Sequence, residues 1–211
     1  SVGTTSAKEN MGKLLNTGVE FQTRVVAISN KSWNWSLSLN MQHNENKIKK
    51  ISNALEKMNE ELNTAEGTLL PPPVYVEGES LSAVKAVKSG GIDPATGQEV
   101  FIDRFGNPTF IYNYWDKRTY GDSDPIVSGT FGTYLTFKGF ALNMLFNYEL
   151  GATVYNQTLV TRVEGANPQR NADKRVFHSR WKEVGNHVKY KNIADQTTPD
   201  ITSRFIRDEY M

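Results

Sequence analysis

Apolar and polar side chains alternate along residues 140–150. The even-numbered positions carry large apolar side chains, and the odd-numbered ones carry small or polar side chains apart from Leu145. Side chains of a strand point alternately to its two faces, so the pattern predicts an extended segment with one apolar face. The run is longer than the about 5–6 residues of an ordinary strand. It matches the roughly 9–11 residues that a tilted strand needs to cross a bilayer.

The same alternation occurs earlier, along residues 33–42, where the odd-numbered side chains are apolar and the even-numbered ones are Asn, Ser or Gln. Each patterned run follows another candidate strand across a short link, Ser29–Ser32 in the first case and Lys138–Gly139 in the second. The sequence therefore predicts two hairpins, with strands at about residues 19–28, 33–43, 126–137 and 140–150. Either hairpin alone would suit a soluble sandwich equally well, with its apolar face in a core and its polar face in water.

The segment after the first hairpin carries different signals. Apolar residues spaced three and four apart predict an amphipathic helix over Asn44–Leu62, with Asn44 as its N-cap. Residues 81–87 are typical of a short strand that ends at Gly90–Gly91, and Asp93–Gly97 is typical of a turn. A further hairpin is predicted from residues 99–103 and 109–112.

Two patches leave a choice between binding and packing. The aromatic residues of the first could stack on sugar rings, although packing is the favoured interpretation: Phe110, Tyr112, Tyr114, Trp115 and Tyr120. Residues 171–181 are basic and aromatic, and a solvated, salt-bridged helix is favoured there over an anion or nucleic-acid site, because the net charge of the chain is only +1. A last strand is predicted at residues 203–211.

The connections decide between a sandwich and a membrane barrel. Both hairpin turns are short, whereas the connections 44–125 and 151–202 are very long. Outer-membrane barrels combine short periplasmic turns with long extracellular loops, and long connections of this kind are unusual in a soluble domain. We therefore predict an all-β fold: one segment, residues 1–211, of an antiparallel transmembrane β-barrel whose long extracellular loops carry short helices and hairpins.

Candidate chemistry changes this picture little. The sequence has no cysteine, and its three histidines lack the spacing of a metal site. It contains no nucleophile elbow, P-loop or dinucleotide fingerprint, so neither an enzymatic activity nor a cofactor is predicted. No run of about 18 apolar residues is present, which argues against a transmembrane helix. The first residues, Ser1–Ser6, do not resemble a signal peptide, and we expect an internal piece of a longer chain.

Several motifs, in their order and spacing, resemble the barrel region of SusC/RagA-type TonB-dependent outer-membrane transporters. They extend from about Gly12 to Arg207 and comprise residues 12–20, 33–38, 77–80, 91–97, 121–125, 155–164, 173–176 and 180–181. The resemblance implies a late part of a large barrel in the outer membrane of a Gram-negative bacterium. It also implies import of oligosaccharides or peptides, a SusD-like surface lipoprotein as partner, and energy from the TonB complex through an N-terminal part that this sequence lacks.

The alternation assigns residues to two faces of the predicted barrel wall. The residues expected to face lipid are Trp33, Trp35, Leu37, Leu39, Met41, Phe140, Leu142, Met144, Phe146 and Tyr148. Those expected to face the lumen are Asn34, Asn40, Gln42, Asn143, Asn147 and Glu149. The main alternative is a soluble β-rich carbohydrate-binding module that uses the aromatics around Tyr112–Tyr120. A weaker one is a secreted glycan-acting enzyme with two suitably spaced carboxylates.

Overall fold

The computed structural model of the protein describes residues 12–64, 69–195 and 200–210, with only the backbone of the last two. The described strands are β1 (Gly12–Ser29), β2 (Trp33–Ile51), β3 (Ala83–Ile92), β4 (Glu99–Ile102), β5 (Pro108–Thr109), β6 (Lys117–Asp122), β7 (Val127–Phe137), β8 (Phe140–Tyr155) and β9 (Ile206–Tyr210). The α-helical segments are α1 (Asn53–Thr64), α2 (Gln157–Leu159) and α3 (Arg175–His178). A π-helical turn, Val160–Glu164, continues α2, and short 3₁₀ turns cover Tyr114–Asp116 and Ser203–Phe205.

The strands form two antiparallel sheets. The larger has the order β1-β2-β7-β8-β9 and remains open within the described residues, while the smaller has the order β5-β4-β3-β6. The expectation of a mostly antiparallel β structure with few helices is therefore confirmed.

Both predicted hairpin turns are present, and each has a local cause. In the first, Asn30 Oδ1 accepts hydrogen bonds from the backbone N–H groups of Ser32 and Trp33 at 2.9 and 2.8 Å. In the second, Lys138 and Gly139 have φ angles of 43° and 89°. Positive φ at both central residues is the geometry of a two-residue turn that matches the twist of the flanking strands. Because Trp33 pairs with Phe137, the two turns lie at the same end of the sheet.

Beyond the opposite end lies a second body, the loop unit, made of residues 69–125, 156–195 and 200–205. Its core includes Ala86 of β3, Val160 and Val163 of the π-helical turn, and Phe205 before β9. The loop unit sits directly on the large sheet, because a Cβ on Gly121 of β6 would lie 2.1 Å from Thr153 Oγ1 of β8. Only glycine permits this close approach of the two strands.

The structure changes several predicted bounds. The helix predicted from Asn44 begins only at Asn53, because residues 44–51 continue β2 and pair with the first part of β1. The strand predicted over residues 81–87 begins at Ala83 and runs through the glycine pair to Ile92. A 3₁₀ turn occupies Ser203–Phe205 before β9. Met211 and Ser1–Ser6 lie outside the described residues.

Candidate functional site

The ten residues predicted to face lipid share one face of the large sheet, which we call the apolar face. Directly paired residues of antiparallel strands point to the same side. Trp35 of β2 pairs with Leu135 of β7, which pairs in turn with Leu142 of β8. The register is the same for the remaining pairs, so the predicted β2 and β8 residues form two parallel rows with β7 between them.

The neighbouring strands extend the apolar face with residues that the sequence analysis did not assign. β7 adds Phe131, Leu135 and Phe137, and β1 adds Val19, Phe21 and Val25. Ring pairs cross the strands, with Trp33 and Phe137 stacked at 3.9 Å and Phe131 and Phe146 at 6.5 Å. The same alternation indicates these residues, but Gly129 and Thr133 interrupt the apolar row of β7.

The apolar face is uncovered within the described part of the chain. Phe140 is 80% exposed, Phe146 53% and Leu142 46%. In a soluble sandwich such rows would pack against a second sheet, at about 10 Å from the first. The polar atoms on this face are nevertheless paired, since Trp35 Nε1 donates to Thr133 Oγ1 at 2.9 Å and Tyr148 Oη donates to the Asn40 carbonyl at 2.9 Å.

Tyr148 reaches the Asn40 carbonyl by crossing β7 at a glycine, which has no side chain. It pairs with Gly129 of β7 and extends over it towards β2. A Cβ on Gly129 would lie 2.7 Å from Tyr148 Oη and 2.0 Å from the Asn40 carbonyl oxygen. Gly129 thus allows Tyr148 of β8 to reach across β7 and donate a hydrogen bond to β2.

All six residues predicted to face the lumen lie on the opposite face, the polar face. Asn40 Nδ2 donates to Thr130 Oγ1 at 3.1 Å, and Gln42 Nε2 donates to Ser128 Oγ at 2.9 Å. The register places the other four on the same side: Asn34, Asn143, Asn147 and Glu149. Most side chains of this face, apart from Leu145, are amides, hydroxyls and the Glu149 carboxylate, which donate or accept hydrogen bonds and suit water or a polar solute.

Sequence reasoning missed two charged residues of the polar face. Arg24 of β1 pairs with Ser38, and its Nη2 donates to Ser36 Oγ at 3.3 Å. Glu20 pairs with Gln42, two residue pairs further along this face of the strand. Both stand at even-numbered positions of β1, so the alternation that identified the partner strand would also have identified them.

A buried charge cluster holds segments of the loop unit together next to β9. Arg204 Nε and Nη2 donate to the two carboxylate oxygens of Glu99 at 2.9 and 2.5 Å, and Nη2 also reaches Glu164 Oε1 at 2.9 Å. Its Nη1 donates to the Lys189 carbonyl at 2.6 Å. Burial alone would lower the pKa of Arg204, but the hydrogen bonds and charges of Glu99 and Glu164 raise it above its usual range. The guanidinium therefore stays charged and holds three separate segments together.

Residues 171–181 form only one short helix, and the basic residues divide between surface and interior. Arg175 pairs with Asp173 at 2.7 Å on the surface, as a salt-bridged segment should. Arg180 is buried instead, and it donates to the backbone carbonyls of Val163, Glu164 and Lys191. The prediction of a wholly solvated patch was therefore wrong for Arg180, whose role is to satisfy loop carbonyls.

Two distant motifs of the sequence meet in the loop unit. The turn Asp93–Gly97 closes through the Gly97 N–H, which donates to the Asp93 carbonyl at 2.8 Å. Trp181 lies against this turn, with its Nε1 donating to the Pro94 carbonyl at 3.0 Å. A Cβ on Gly97 would lie only 2.5 Å from the indole ring. The tryptophan thus fastens the turn to a segment more than eighty residues later in the chain.

The aromatic residues around 110–120 also divide between the interior and the surface. Tyr112 packs edge-on against Phe101 at 5.5 Å between ring centres, and its burial raises its pKa. Phe110 and Trp115 are exposed, with Trp115 tilted against Tyr114 at 5.0 Å. Packing accounts for Tyr112, and the other rings lie on the surface of the loop unit.

The described ranges contain no cluster of three or more His, Cys, Asp and Glu side chains that could hold a metal ion. Within the same ranges, none of the helices has the length and apolar character needed to span a membrane.

Comparison with known proteins gives the geometry a context. No protein-family model matches the chain. A TonB-dependent receptor of Formosa agariphila, named P3, is 29% identical over 228 aligned residues, which cover 91% of this chain and 22% of that protein. The RagAB peptide transporter superimposes with a TM-score of 0.69 at 21% identity, over 95% of this chain and 22% of that one. The closed-closed state of the RagAB peptide importer gives 0.68 at 23% identity over the same shares.

The chain resembles a segment of a SusC/RagA-type TonB-dependent receptor. It spans about a fifth of the length of the proteins that it matches. The agreement with the solved structures concerns the fold, and it covers the large sheet together with the loop unit of this SusC/RagA-like segment. The resemblance stated from the sequence motifs is therefore confirmed.

Proposed function

We propose that this chain forms part of the barrel wall, and of the loops above it, of an outer-membrane TonB-dependent importer of large nutrients. The cargo would be oligosaccharides or peptides, and the matched solved structures are those of a peptide transporter and importer. A SusD-like lipoprotein would bind on the loop side, and the TonB complex would act through a part of the protein outside this chain. The proposal gives the chain no catalytic role.

One observation carries the proposal: a sheet with a continuous, uncovered apolar face on one side and a hydrogen-bonded polar face on the other. Barrel strands in outer membranes alternate in this way, with lipid outside and a polar interior. The short turns at one end and the loop unit at the other agree with periplasmic turns and extracellular loops. A soluble carbohydrate-binding module would need protein over the apolar face, and the described residues supply none there.

Charged substitutions on the two faces test the proposal. Leu142→Arg or Met144→Arg in the full receptor should cost roughly 2–4 kcal/mol near the bilayer midplane, because the guanidinium would lie in hydrocarbon. Asn143→Arg, on the polar face between them, should leave folding nearly unchanged and act on passage of substrate. Folding of each variant into lipid vesicles, followed by the heat-dependent shift in gel mobility, measures the difference.

Equal damage at position 143 and at positions 142 and 144 would contradict the assigned faces. Efficient folding of all three variants in aqueous buffer without lipid would contradict the membrane location itself, and would restore the soluble module.

A further inference from the structure

A basic patch continues the apolar face towards the loop unit. Lys47 lies on the same side of β2 as Met41, since no irregularity interrupts the alternation between them. Its β1 partner is Leu15, and two residues further along that strand Lys13 pairs directly with Lys50. Lys13, Lys47 and Lys50 form the patch, and all three are exposed.

The pairing of Lys13 with Lys50 is unfavourable in the isolated sheet. Directly opposed side chains have Cβ atoms about 4.5–5.5 Å apart, and like charges there repel. Within the described residues none of the three lysines forms an ion pair. Glu45 is the one carboxylate on this side of residues 13–17 and 45–50, and Glu77 comes close to its end, where its Oε1 accepts from the Ile51 N–H at 3.0 Å. There are thus two carboxylates for three lysines. The patch therefore carries an excess positive charge that an anion would neutralise.

The position of the patch limits what that anion is. If the proposed span ends near His43, Lys47 lies four residues beyond it, or roughly 13 Å along the strand. A strand tilt of 35–45° places it roughly 10 Å above the hydrocarbon, and a long lysine side chain can extend back towards the headgroups. Leu15 is exposed beside Lys47, and Val19 and Phe21 are exposed below them on the same face.

We infer that Lys13, Lys47 and Lys50 bind the phosphate groups of a phosphorylated outer-leaflet lipid whose acyl chains lie on the apolar face below. The inference rests on the proposed membrane position. The amphiphile matches both parts of the surface: phosphate neutralises the opposed lysines, and hydrocarbon covers the exposed rings and aliphatic side chains beneath them.

The test uses the full receptor in neutral detergent, titrated with diphosphorylated lipid A, with dephosphorylated lipid A, and with inorganic phosphate. Binding is followed by native mass spectrometry and by the shift in unfolding temperature. The Lys13→Gln/Lys50→Gln variant should bind the phosphorylated lipid about 25-fold more weakly, at roughly fivefold for each lysine. Lys31→Gln/Lys138→Asn removes the same charge at the turn end of the sheet and should bind like the wild type.

Without lipid, the Lys13→Gln/Lys50→Gln variant should be at least as stable as the wild type, because it loses a repulsive pair. A purely structural role would give the opposite result. Unchanged lipid binding by this variant, an equal loss in the control variant, or binding of inorganic phosphate as strong as that of the lipid would each overturn the inference. Failure of the wild-type receptor to insert into vesicles would instead overturn the proposed function, and that is measured separately.

Discussion

At the scale of single residues, Arg204 has the most consequential position. It precedes β9 and donates to Glu99 of β4, to Glu164 of the π-helical turn and to the Lys189 carbonyl. The Glu164 side chain is fully buried and the Glu99 side chain nearly so. Two carboxylates in such surroundings depend on the guanidinium for their charge balance, because an unpaired buried charge is costly.

Arg204→Met should therefore destabilise the receptor by about 3–5 kcal/mol, since it leaves two buried carboxylates without their counter-charge. Denaturant unfolding of the detergent-folded receptor measures the loss. Adding Glu99→Gln and Glu164→Gln to this variant should recover part of it. Arg175→Met, which removes a solvated ion pair, should change stability little, and a loss as large as that of Arg204→Met would show that burial is not the cause.

Asp200 makes stability depend on pH in a particular direction. Burial raises its pKa to about 6, and the charge of Glu99 adds to the rise. The folded state therefore holds the proton more tightly than the unfolded state, so this residue's contribution to stability falls as pH rises from about 4 to about 6. Asp200→Asn should stabilise the receptor at pH 7 and make little difference at pH 4, as measured by unfolding temperature across that range.

Asp173 supplies a control of opposite sign for the pH experiment. Its hydrogen bonds to Arg175 lower its pKa to about 2. Its contribution is therefore present above the unfolded-state value and is lost as pH falls towards 2. Asp173→Asn should reduce stability at pH 7 only slightly, because its ion pair with Arg175 is solvated, and a gain there from both variants would mean that general charge reduction explains the Asp200 result.

At the scale of elements, comparing the turn at 93–97 with the turn at Gly106 distinguishes the effect of backbone strain from that of a side-chain contact. Gly97 has φ of 74° and also faces the indole of Trp181, whereas Gly106 has φ of 94° and open space around it. Replacing either glycine with alanine should destabilise the receptor by about 1–3 kcal/mol through backbone strain. Gly97→Ala should lower the unfolding temperature more than Gly106→Ala does, because its methyl group must also displace Trp181. Equal losses would show that the indole moves aside without cost.

The elements also show which part of the fold the sequence could predict. Strand alternation identified β2 and β8 because each has one face of uniform character over its central residues. The helix prediction from three- and four-residue spacing was wrong for residues 44–52, where Ile48 and Ile51 happen to lie at helical spacing from Leu55 and Met58. Ile48 is buried in a strand that pairs with residues 12–17 of β1, and that pairing is a non-local property.

The same limit applies to the loop unit. Arg204 and Glu99 are separated by 105 positions, and Trp181 and Pro94 by 87. Nothing in the local composition of either segment indicates its partner. The faces of the sheet were predictable because alternation is a local pattern, whereas the contacts that fix the loop unit depend on how distant segments pack.

At the scale of the whole molecule, the sheet exposes two features that do not suit water. Its apolar face extends across β1, β2, β7 and β8. Within the described residues, β1 and β9 are also its edge strands. Uncovered apolar area and long strand edges both favour association between copies of a chain.

We therefore expect the isolated 211-residue chain to associate in aqueous buffer and to disperse in detergent. Detergent tails would cover the apolar face, whereas in buffer the face is buried only against another copy. Size-exclusion chromatography with light scattering distinguishes the two states. Changing Phe140, Leu142, Met144 and Phe146 to Thr should reduce the association, while changing Asn34, Asn40, Asn143 and Asn147 to Thr should not. A monodisperse monomer in buffer without detergent would mean that the apolar face finds cover within the chain itself, and such a chain would be the soluble module.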